Sequence, residues 1–90
     1  MAILAVFHAK GMTAEQYDES IRQLEAAGQG APQGRRSHVA AVSEDETLSV
    51  DVWDSEEEFA RFGAVLTPIV AGLGLTPPRP EVHPVHNIIA

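Results

Sequence analysis

Ala2-Ile3-Leu4-Ala5-Val6-Phe7-His8-Ala9 reads as a strand that is apolar at both parities, with Ile3, Ala5 and Phe7 pointing one way and Leu4 and Val6 the other. A strand with one wet face alternates apolar with polar residues, so this one is expected to be covered on both faces. Lys10-Gly11 then makes a turn. Thr13 with Gln16 three residues on forms a capping box that opens a helix. Ala14, Tyr17, Ile21 and Leu24 give that helix one apolar stripe, and it ends near Gly28.

Gln29 to Gly34 is a Gly- and Pro-rich loop, after which Arg36 to Val42 and Thr47 to Trp53 carry the residues of a hairpin around Ser43-Glu44-Asp45-Glu46. Within the third strand Leu48, Val50 and Val52 alternate with Ser49, Asp51 and Trp53, giving an apolar face and a mixed one. Ser55 with Glu58 is a second capping box, and Phe59, Phe62, Leu66, Ile69 or Val70, and Leu73 trace the second helix. Pro68 lies inside that stripe and is expected to kink or divide it. Thr76-Pro77-Pro78-Arg79-Pro80 leads to a last strand, Glu81 to Ile89, which Pro84 confines to a sheet edge or a bulge.

The order βαββαβ is the ferredoxin-like α+β arrangement, one domain over residues 1–90 with an antiparallel four-stranded sheet and both helices on one face. Its other face must take apolar residues, Leu4, Val6, Ala40 and Val42 or their alternates, which marks an interface. A homodimer paired sheet against sheet covers it most simply.

Composition narrows the partners. Hydrophobic residues make up 44% of the chain and charged ones 21%, a globular balance. Thirteen acids against six bases give a net charge of −7, which repels phosphate backbones and anionic lipid, so neither nucleic acid nor membrane is expected as a partner. Eight of the acids fall between Glu44 and Glu58 without the loop spacing of a calcium site, and read as a solvated hairpin and helix start. With no cysteine, thiolate chemistry and disulfides are excluded; with no signal-like leader, the expected location is cytoplasmic.

Gly11-Met12-Thr13-Ala14-Glu15-Gln16-Tyr17-Asp18, Val50-Asp51-Val52-Trp53-Asp54-Ser55 with Glu58-Phe59 and Phe62, and Pro84-Val85-His86-Asn87-Ile88-Ile89 together resemble small bacterial proteins of the dimeric α+β barrel superfamily, and among them the antibiotic-biosynthesis-monooxygenase-like group. The resemblance spans the chain. It implies two sheets closing into a barrel, with a pocket between each sheet and its helices. The superfamily holds several unrelated activities, so the fold is implied more strongly than a reaction.

Chemistry must come from few residues. The four histidines, His8, His38, His83 and His86, are the side chains that titrate near neutral pH. His83 and His86 are three apart, which on a strand puts them on opposite faces, and no His and carboxylate set has ligand spacing, so no metal is expected. Asp51 and Trp53 point the same way, toward the open sheet face or its end. Asp51 either accepts hydrogen bonds from a histidine or Arg36 to fix register, or orients a histidine base with Trp53 as an apolar wall. His38 and His8 are the bases within reach, and Tyr17, His86 and Asn87 are candidate ligand contacts, each also readable as an ordinary packed or hydrogen-bonded residue. No phosphate loop or nucleophile elbow is present, so no cofactor is expected. The leading expectation is a monooxygenase-like dimer acting without cofactor on an enolisable or phenolic compound. The alternatives are a non-catalytic ligand-binding or structural dimer, and haem binding through one histidine.

Overall fold

The computed structural model describes all 90 residues, Met1–Ala90. The elements run β1 (Ile3–Lys10), α1 (Ala14–Ala26), β2 (Arg35–Val42), β3 (Glu46–Trp53), α2 (Glu56–Gly72) and β4 (Glu81–Pro84). The sheet has the order β2-β3-β1-β4, and every neighbouring pair is antiparallel. This is the ferredoxin-like arrangement, with both helices against one face.

Helix α1 begins as its sequence dictates. Thr13 accepts from the Gln16 amide while the Gln16 side chain accepts from the Thr13 amide, so two of the orphan donors at the helix start are satisfied reciprocally. It ends in a Schellman turn: the amides of Gly28 and Gln29 donate to the carbonyls of Glu25 and Leu24, with Gly28 at φ +79° supplying the left-handed residue the turn requires. At the start of α2, Ser55 accepts from the Glu58 amide, but the Glu58 carboxylate accepts from the Ser55 hydroxyl and not from its backbone. Half of the expected capping box is therefore formed.

Two other expectations are corrected. Helix α2 is not divided at Pro68 but continues through it as one helix, since a proline there removes one intrahelical donor while the packing of Phe62, Leu66 and Val70 is kept on both sides of it. Strand β4 is four residues long and ends at Pro84, with one further bond from the Val85 amide to the Ala2 carbonyl at 3.0 Å; the rest of the stretch up to Ile89 lies beyond the strand.

Ile3 and Ala5 of β1, Leu24 of α1, Trp53 of β3 and Phe62 of α2 form the main core, and Ala9, Met12 and Val70 form a second cluster beside it. The partner parity of β1, Leu4 and Val6, lies on the opposite face. There it pairs with Val52 and Val50, and Val50 pairs in turn with Val39. That face is apolar and has no element of this chain over it: Val39 is 66% exposed. On β2 the open-face residues are Val39 and Ala41, the alternates of Ala40 and Val42.

Candidate functional site

The mixed parity of β3 faces the helices, not the open sheet face. Trp53 decides this, because its indole buries more apolar area than any of the competing valines, and it is 0% exposed between Phe59 and Phe62, with ring centroids 5.6 and 5.1 Å away. Asp51, two residues earlier, is carried to the same side and is 2% exposed. A buried carboxylate needs donors, and it has two. Trp53 Nε1 donates to Asp51 Oδ2 at 3.2 Å, and His38 Nδ1 lies 2.5 Å from Asp51 Oδ1, Asp51 and His38 being directly opposed across β2 and β3.

The other ring nitrogen of His38 meets α1. Tyr17 Oη is 2.6 Å from His38 Nε2. An ionised Asp51 can only accept, so Nδ1 carries the proton; in the neutral imidazole Nε2 is then the acceptor and the Tyr17 hydroxyl donates to it. The chain Tyr17, His38, Asp51 is thus a directed hydrogen-bond relay drawn from α1, β2 and β3. Burial raises the Tyr17 hydroxyl above its ordinary pKa of 10.0, Arg35 pulls it down, and Asp51 and Asp18 add to the rise, for a net upward shift. The phenol is therefore held protonated near neutral pH.

Tyr17, His38 and Asp51 line a cavity of about 80 Å³ between the sheet and the helices, with apolar walls that include Phe7, Leu24, Leu66 and Val70. At about 10–15 Å³ per water, it holds on the order of six waters or the end of a small organic molecule. Exposed Thr67 and the half-buried Pro77 and Pro78 form its rim.

The remaining sequence candidates are not gathered here. Trp53 does not line the cavity; it stands behind Asp51 as a hydrogen-bond donor and core residue. His8 lies on the open face, because it has the parity of Leu4 and Val6, and its ring sits 3.2 Å from Glu46 and 3.6 Å from Glu81. His83 faces the same way, 3.8 Å from Glu81. His86 and Asn87 fall past the end of β4 and are exposed. Arg36 pairs with Asp54 rather than Asp51. No group of three or more His, Cys, Asp or Glu side chains is placed to hold a metal ion. No helix is long and apolar enough to cross a membrane.

No family model matches the chain, and no curated protein matches it in sequence. Solved structures do match in shape. SnoaB, a cofactor-independent oxygenase from Streptomyces nogalater, superposes with a TM-score of 0.65 at 14% identity, covering 98% of this chain and 95% of its own. A protein from Chloroflexus aurantiacus J-10-fl, provisionally named an antibiotic biosynthesis monooxygenase, gives 0.64 at 14% identity over 98% and 97%. Rv0793 from Mycobacterium tuberculosis gives 0.62 at 17% identity over 99% and 97%. The likeness covers nearly the whole chain and shows that it shares the ferredoxin-like α+β fold of these proteins.

Proposed function

We propose that the cavity is a proton-abstraction site and that the protein is a monooxygenase-like enzyme acting, without flavin or metal, on an enolisable or phenolic compound. The observation that supports this most is the relay itself: a tyrosine hydroxyl at a cavity wall, hydrogen-bonded to a histidine that a buried carboxylate orients. Substrate gives a proton to the Tyr17 oxygen as Tyr17 passes its own to His38 Nε2, and Asp51 stabilises the imidazolium that forms. The carbanion left on the substrate supplies two electrons to dioxygen and forms a carbon–oxygen bond. The relay returns the proton to the peroxide, and loss of water, carrying the second hydrogen of the carbon, leaves a ketone. One oxygen atom ends on carbon and the other in water.

Two copies joined through the open faces would form the barrel, with Leu4, Val6, Val39, Leu48, Val50 and Val52 between the sheets. The exposure of this apolar face in the single chain supports that assembly. A binding dimer without turnover is the competing reading. Oxygen uptake by the purified protein in chelator-treated buffer, measured with hydroquinones and cyclic 1,3-diketones, separates the two: substrate-dependent uptake that disappears in His38→Ala supports the enzyme, and tight binding without uptake overturns it.

A further inference from the structure

Arg35 is the one arginine drawn into this cavity. It is half-buried, whereas Arg22, Arg36, Arg61 and Arg79 are exposed. A regular strand would not place it there, because Arg35 and His38 are three residues apart and would face opposite ways. A bulge between Arg35 and Ser37 inserts one residue, so that Arg35 opposes Trp53 while His38 opposes Asp51, and both side chains point toward the helices. Just before it, Gly34 takes φ +92° at a point where a Cβ would overlap the Glu58 carboxylate, so this entry into β2 is fixed by its backbone.

The guanidinium is held but not neutralised. Its carbon stands 5.7 Å from the centroid of the Phe62 ring, and Nη2 donates to the Gly30 carbonyl at 3.2 Å. No carboxylate lies within 4 Å of it, in a chain with 13 acids and a net charge of −7. Asp51, the carboxylate of the cavity, has its two oxygens taken by His38 and Trp53. A partly desolvated cation with free donors in a fixed fork is a receptor for a planar oxyanion, and a carboxylate fits that fork with two parallel hydrogen bonds.

We infer that Arg35 binds a carboxylate carried by the ligand of this cavity, so that the substrate class is a small phenolic or enolic acid with its ring or chain against the apolar wall and its acidic hydroxyl at Tyr17. The inference rests on the cavity being the functional site. Arg35 and Tyr17 line the same cavity, which puts the two within reach of one small molecule.

Isothermal titration at pH 7 with salicylate and with its neutral isostere salicylamide tests this on the intact protein. The wild type is expected to bind salicylate at least tenfold more tightly than salicylamide. Arg35→Gln reduces that preference to less than threefold, and Arg35→Lys keeps part of it, which separates a lost charge from a damaged fold. Equal binding of the two compounds by the wild type, or a preference that survives Arg35→Gln, overturns the assignment to Arg35 while leaving the cavity as a site. Failure of both compounds to bind the wild type counts against the cavity and the inference together.

Discussion

His38 Nδ1 stands 2.5 Å from Asp51 Oδ1 across directly paired positions of β2 and β3, with the carboxylate 2% exposed. Removing either partner leaves the other with an unmet need, and the two losses differ in kind.

His38→Ala strips Asp51 of one of its two donors but leaves the Trp53 indole bond, so a cost of about 1 to 3 kcal/mol is expected, below the stability of a small domain. The variant stays folded by thermal melting while ligand binding or turnover is lost. A variant that keeps function and only melts earlier would make His38 a structural residue.

Tyr17→Phe keeps the ring packing and removes the hydroxyl. Activity is expected to fall about 10² to 10⁴-fold, the usual range for a general acid–base group. The same variant carries a pH signature. Because the folded-state pKa of Tyr17 is raised above 10.0, its contribution to stability is fully present below pH 10 and is lost as pH rises through the folded value. As pH rises above 10 the wild type should therefore lose melting temperature faster than Tyr17→Phe. Parallel curves would contradict this.

Trp53→Phe opens space between Phe59 and Phe62 and takes away the second donor to Asp51, a combined loss of about 2 to 4 kcal/mol in denaturant melts. A cost under about 1 kcal/mol would show that the indole N–H does not hold the carboxylate.

Sedimentation at micromolar concentration is expected to give a dimer. Val6→Asp places a charge in the centre of the open face and should yield unfolded or insoluble protein instead of a folded monomer, since folding and pairing are linked. A soluble, folded Val6→Asp monomer would argue that the face needs no second copy.

How far the sequence could be read depends on what kind of signal each feature leaves. The two-sided apolarity of Ala2 to Ala9 and the capping box at Thr13 are local patterns, and both appear in the structure as read. Which face of β3 turns inward is a competition between Trp53 and three smaller residues, and counting apolar positions weights them equally when buried area does not. His8, at the end of β1, and His86 and Asn87, in the last segment, are within reach of Asp51 only while parity and strand length are open; β1 parity turns His8 outward, and His86 and Asn87 lie past the end of β4. Arg35 left almost no trace: the bulge that aligns it with His38 depends on the register of β2 against β3, and register is a property of two strands together.

The relay is tested most directly by the nitrogen-15 spectrum of His38 in the resting protein near neutral pH. A neutral ring protonated at Nδ1, with Nε2 as an acceptor and the pattern shifting on Tyr17→Phe, is the expected result. A ring protonated at Nε2, or one averaging between tautomers and indifferent to Tyr17→Phe, would mean that Tyr17, His38 and Asp51 do not form a directed path for a proton.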